Sequence, residues 1–346
     1  MMKKLIFILL SAAVLTLTSC SEKAENLSSD TVGEASRNIF AMDTLMTFKA
    51  YGSRSDEALS EVSQKILSLE SMLSVTDENS EIWKVNHSAG KETEISRETA
   101  DIVSFALDIS EKTDGALNPL VYPLVREWGF TTGDYKIPDG DVISELLTNT
   151  DFRKVSVSEN SIFLQEGMLI DAGASAKGYA GDAAAKILSE YGVESAVLSL
   201  GGNIQTVGSK PDGSDWKVAI KDPFDETLQM CIVSVSDMAV VTSGNYERYF
   251  TGEDGKRYCH IIDPSDGYPS DNGLVSVTIV SGSGILCDCL STAMFVKGEK
   301  AAIEYWRENG GFDMILVNSD REITVTEGLE NCFETVNGMK AEIVRN

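Results

Sequence analysis

Asp288 and Thr292 stand four residues apart in Cys287-Asp288-Cys289-Leu290-Ser291-Thr292-Ala293-Met294-Phe295, so a helix there puts a carboxylate and a hydroxyl on one face. With a backbone carbonyl they would offer the hard oxygen ligands of Mg²⁺, whose remaining positions go to water and substrate phosphate. The alternative is an acidic residue near a helix N-terminus, favoured by the helix dipole alone. A second segment, Asp171-Ala172-Gly173-Ala174-Ser175-Ala176-Lys177-Gly178-Tyr179-Ala180, is read as a strand ending at Ile170, a small-residue turn and a helix start. Such a turn lets backbone N–H groups approach a phosphate, with Lys177 adding charge. It is neither a Walker loop nor a G-x-G-x-x-G fingerprint, and small residues before a helix also serve structure alone. His260 and Asp263 lie three apart at a predicted strand end, followed by turn residues Ser265-Asp266-Gly267, and can form a proton acceptor and its orienting partner. Asp-Pro before a turn is equally ordinary punctuation. Thr242-Ser243-Gly244-Asn245-Tyr246 is either an anion-holding turn or a hairpin, and Ser243 lacks the flanks of a serine-hydrolase elbow. The chain has only two histidines, His87 and His260, which excludes a site built from several imidazoles.

The elements that must position these residues follow from apolar spacing. Asn38 to Tyr51 reads as a strand, and Ala58, Val62, Ile66, Leu69 and Leu73 predict a helix over 55–73. Further helices are expected at 96–112, 176–190, 286–296 and 299–309. Short apolar runs at 161–164, 195–200, 216–220, 232–235 and 274–280 read as strands between Gly, Asp and Ser turns. Helices interleave irregularly with more numerous strands, which is an α+β pattern rather than a regular βαβ one.

Composition narrows the chemistry. A formal net charge of −25 excludes nucleic acid as a partner on electrostatic grounds. An anionic ligand would need amides, a lysine or a bound cation. Lys3 and Lys4, the apolar run from Leu5 to Leu17 and Leu17-Thr18-Ser19-Cys20 have the layout of a signal peptide over residues 1–19, too short for a comfortable membrane span. The ending resembles a bacterial lipobox, with Cys20 as the lipidated mature N-terminus. Residues 20–37 are polar, as a tether from a lipid anchor would be, and the folded domain is expected over 38–346. The other five cysteines, at 231, 259, 287, 289 and 332, show no disulfide or zinc spacing.

Taken in order, Met42-Asp43-Thr44, Asp114-Gly115-Ala116-Leu117-Asn118-Pro119, Pro123-Leu124-Val125, Trp128-Gly129-Phe130, Asp171 to Ala180, Leu200-Gly201-Gly202-Asn203, Thr242 to Phe250, His260 to Pro264 and Asp288 to Phe295 resemble the ApbE family. The resemblance implies an α+β fold related to the T-fold, with mixed sheets, interleaved helices and two lobes around a flavin cleft. It implies a Mg²⁺-dependent FAD:protein FMN transferase that cleaves FAD and attaches FMN through a phosphoester to a Thr or Ser of an exported acceptor flavoprotein, releasing AMP. The acceptor would belong to a membrane redox complex or a similar exported flavoprotein. Met42, Thr76, Ala116, Leu117, Asn118, Asp171, Lys177, Ser243 and Ile262 fall on or beside flavin-contacting positions. The implied metal residues are Asp288 and Thr292 through side chains, Ala174 through its carbonyl, and Ser291 through its backbone; His260 matches the family's proposed base. Asn118 and Asn245 stand where the family commonly has Asp, and Thr76 where it often has Tyr. A pyrophosphatase that uses water as acceptor, and a lipoprotein that only binds FAD, share this pattern. The expected location is outside the cytoplasm, anchored to the membrane through Cys20.

Overall fold

Residues whose apolar side chains recur at two build one large sheet, and those recurring at three and four cover it. The computed structural model describes residues 33–336 and 338–346. Nine strands, numbered here in chain order, form the main sheet: β1 Glu34–Ala41, β2 Thr44–Tyr51, β3 Ser195–Ser199, β4 Asn203–Val207, β5 Ala239–Gly244, β6 Leu274–Ser281, β7 Asp313–Asn318, β8 Ile323–Thr326 and β9 Ala341–Val344. They lie side by side in that same order, every neighbouring pair antiparallel except β8–β9. Helices enter as insertions: α1 Ser55–Leu73, α2 Arg97–Lys112 and α3 Ala176–Glu190 between β2 and β3, and α4 Gly284–Lys297 and α5 Glu299–Asn309 between β6 and β7. The described residues form one unit, and none of their helices is long and apolar enough to cross a membrane.

The middle of the sheet is buried on both faces. Val241 and Ile279 pack against Cys287, Leu290 and Met294 of α4. Their neighbours Val240 and Val280 point the other way, onto Val218 and Val233 of a small sheet made by Trp216–Asp222, Asp225–Val235 and Phe333–Thr335. Each fully buried side chain of this kind contributes about 1.5–3 kcal/mol, so α4 is held on the sheet by a continuous apolar layer.

The α+β expectation and the helix positions agree with the structure. Ser96 caps α2 through the Thr99 N–H, so the helix itself starts at Arg97. Helix α4 starts two residues earlier than its apolar pattern indicates, because Ser283 and the Asp182 carboxylate accept its first N–H groups. Three expectations change. Asn38 to Tyr51 is a hairpin rather than one strand, turning at Met42 and Asp43 with φ of 51° and 58°. Its first strand begins at Glu34, so the tether cannot extend to Arg37; residues 1–19 and Cys20 lie outside the described residues.

No strand ends at Ile170; the preceding one, Ser161–Phe163, stops well short of it. The Asn86 side chain instead accepts from the Ile170 N–H at 2.8 Å and donates to the Ile170 carbonyl at 2.9 Å, taking the place of a neighbouring strand. Asn86→Ala leaves two buried backbone groups unpaired and should destabilise the protein by about 2–4 kcal/mol. Urea denaturation checks this, and a loss near zero would show that the Asn86 clamp does not hold the segment leading to Asp171.

Candidate active site

Two helices meet with almost no side chain between them. A Cβ added to Gly178 in α3 would collide with the Gly284 carbonyl and the Asp288 Cβ of α4, and one added to Gly284 would collide with the Gly178 carbonyl. This close approach lets the Gly178 N–H donate to Asp288 Oδ2 at 2.8 Å. Asp288 is only 5% exposed, and a buried carboxylate needs partners or a cation. One turn along α4, the fully buried Ser291 hydroxyl donates to the Asp288 carbonyl at 2.9 Å and lies 2.8 Å from Ser243 Oγ on β5. Ser243 Oγ is also 3.5 Å from Thr292 Oγ1. Ala174 lies in the turn that leads into α3, two residues before its first residue, and packs against the apolar cluster containing Cys287 and Leu290.

The donors gathered here are all oxygen: one buried carboxylate and three hydroxyls, beside the turn that bears Ala174. That set suits a hard cation that keeps substrate and water ligands, and not a transition metal. No group of three or more His, Cys, Asp or Glu side chains is gathered for a metal among the described residues. Cys287 and Cys289 on either side of Asp288 are buried, which pushes both thiols up and leaves them protonated.

His260 follows the short strand Arg257–Cys259, which pairs with Tyr249–Thr251. Its backbone N–H donates to the Arg248 carbonyl at 3.0 Å, and its Nδ1 lies 3.2 Å from the same oxygen. A carbonyl only accepts, so Nδ1 carries the hydrogen and the neutral ring presents its lone pair at Nε2. Burial first, then the charges of Arg248 and Lys177, lower the His260 pKa from 6.5 to about 4. The imidazole is therefore a neutral proton acceptor at physiological pH. Asp263 does not orient it. The Asp263 carboxylate accepts from the Ser265 N–H at 2.8 Å and shapes the following turn, because the chain leaves the strand direction right after His260.

The model of the ApbE family matches residues 42–316. The chain belongs to the ApbE family. It is 36% identical over 277 residues to an FAD:protein FMN transferase of Klebsiella pneumoniae (strain 342), covering 78% of this chain and 85% of that one. Against the FAD:protein FMN transferase of Treponema pallidum (strain Nichols) identity is 33% over 320 residues, 86% of this chain and 88% of the relative. The crystal structure of the ApbE protein of Thermotoga maritima superposes with a TM-score of 0.81 at 30% identity, covering 87% of this chain and 99% of that one. The apo flavinyl transferase ApbE of Pseudomonas stutzeri gives 0.78 at 28% identity, covering 87% and 97%.

In this ApbE-family chain the remaining expected residues are spread over several places. Asp171 and Lys177 flank the small-residue turn; burial raises the Asp171 pKa, opposed by the Gly173 N–H and by Arg248 and Lys177. Ala116, Asn118 and Asp263 line a cleft of about 580 Å³ with Arg153 and Lys297. Leu117 is buried, and the Asn118 amide is committed to the Thr150 carbonyl and the Leu120 N–H. Ile262 is buried and bridged to Pro269. Met42 packs against the large apolar cluster that includes Ala172 and Ala176 and donates its N–H to Glu70, whereas exposed Thr76 bonds only within its loop, to Ser74. Sequence reasoning missed Asn86, Gly178, Asp182 and Arg248. Gly178 and Arg248 lie inside segments that carry the family pattern, but their roles come from contacts across more than a hundred residues and from a backbone carbonyl.

Proposed function

We propose that this chain is an FAD:protein FMN transferase that moves the FMN half of FAD onto a Thr or Ser hydroxyl of an acceptor flavoprotein and releases AMP. The observation that carries the proposal is the Gly178–Asp288 bond, which joins the small-residue turn at 171–178 to the oxygen set of α4. With the Ala176 and Gly178 amides engaged by the Ala172 carbonyl and Asp288, the Lys177 N–H and ammonium suit the diphosphate of a dinucleotide in a protein of net charge −25. Asp288, Thr292, Ser291 and the Ala174 carbonyl would hold Mg²⁺, which supplies charge neutralisation at the diphosphate when bound.

The acceptor hydroxyl oxygen forms a bond to the FMN phosphorus as the bond from that phosphorus to the AMP oxygen breaks. The hydroxyl proton passes to His260 Nε2. Because Nδ1–H is held by Arg248, the ring cannot present the wrong nitrogen without losing that bond. The proposal includes an exported enzyme tethered to the membrane through lipid on Cys20, supported by the Lys3-Lys4, apolar and Leu17-Thr18-Ser19-Cys20 pattern.

His260→Gln should lower FMN transfer by about 10²–10⁴-fold while FAD still binds. The base acts when deprotonated and its pKa is depressed, so wild-type transfer should be flat from neutral pH down to about 5 and fall as pH drops through about 4. Full transfer by His260→Gln would remove the histidine from the chemistry.

A further inference from the structure

The proposed reaction needs His260 to be uncharged, which burial favours first, and to keep its lone pair on Nε2, which the residue across the hairpin arranges. The register Tyr249↔Cys259 sets Arg248 opposite His260, and its carbonyl takes both the backbone N–H and Nδ1. The Arg248 side chain is moored too: Nη2 donates to the Phe130 carbonyl at 2.8 Å. Phe130 in turn presents its ring to His260, with centroids 6.4 Å apart and planes at 67°. One residue is thus tied to the imidazole by its backbone and to the flanking aromatic by its guanidinium.

We infer that Arg248 is the positioning residue of this site: its carbonyl selects the Nδ1–H form of His260, and its guanidinium, anchored on the Phe130 carbonyl, fixes the backbone that presents that carbonyl to the ring. The Arg248 carbonyl by itself favours the protonated ring, and the nearby cations oppose it. Arg248 from the hairpin and Lys177 from the first turn of α3 both disfavour a second positive charge. The carboxylate of Asp171 lies near those two cations, and that of Asp263 is engaged with the Ser265 N–H. A guanidinium suits the task because it stays charged at every relevant pH and its planar fork can be fixed by one carbonyl.

The inference rests on the transferase reading for its consequence in catalysis, but its direct test needs no activity. With only two histidines in the chain, long-range ¹H–¹⁵N NMR of histidine-labelled protein resolves His260 once His87→Gln has assigned the other. In the wild type, His260 should carry its hydrogen on Nδ1 and stay neutral to well below the ordinary imidazole range. Arg248→Gln should raise the His260 midpoint by about one unit or more and shift the acid limb of the transfer profile by the same amount. Arg248→Lys should leave both closer to wild type. A wild-type His260 titrating as a free imidazole, or protonated on Nε2 when neutral, overturns the inference even if no variant folds. So does an unmoved midpoint in Arg248→Gln. Normal NMR behaviour without FMN transfer would count against the transferase reading and leave the role of Arg248 intact.

Discussion

Asp288→Asn is expected to lower Mg²⁺-dependent AMP release from FAD by about 10²–10³-fold with almost no change in stability. The substitution keeps shape, and the amide oxygen can still accept the Gly178 N–H, so α3 and α4 stay in register. What disappears is the negative charge at the one buried carboxylate among the gathered oxygens. Asp288→Ala removes the charge and also orphans the Gly178 N–H, which should add about 1–3 kcal/mol of destabilisation. Comparing the two variants by urea denaturation and by AMP release separates the two roles of the side chain. A wild-type rate for Asp288→Asn at saturating Mg²⁺ would mean that the oxygen set is structural.

The second large effect comes from a residue with no functional group. Gly178→Val should destabilise the protein by about 2–4 kcal/mol and lower transfer by about 10²-fold or more. Its side chain has nowhere to go between the Gly284 carbonyl and the Asp288 Cβ, so the helices must part. Parting them breaks the Gly178–Asp288 bond and moves the carboxylate away from the Ala174 turn. Gly282→Ala is the matched control. It is two residues from Gly284, an added Cβ meets nothing within 4 Å, and the change should stay within about 0.5 kcal/mol. If Gly178→Val retained activity and stability, the close helix contact would not be what assembles the site.

Local physics made much of this molecule readable in advance. Helices α1, α3 and α5 follow apolar spacing directly, because each buries one stripe and nothing non-local moves its ends. The Asp288 and Thr292 pair follows from helical periodicity, and His260 from its place at the end of a strand. Features that escaped depend on partners remote in the chain or on groups every residue shares. The Met42-Asp43 turn uses left-handed backbone without glycine, so nothing marks the break in what reads as one strand. Ile170 is ordered by an asparagine 84 positions away. Asp263 looked like the orienting partner of His260 because carboxylates are the visible candidates, whereas the partner is the Arg248 carbonyl, which has no signature in residue type.

The most direct test is to incubate the protein with FAD, Mg²⁺ and an exported flavoprotein subunit, then weigh that subunit intact while counting AMP. The account predicts a mass increase of one FMN on a Thr or Ser, one AMP per flavin attached, and neither change with Asp288→Asn. AMP released while the subunit keeps its original mass, or no AMP at all, would contradict it.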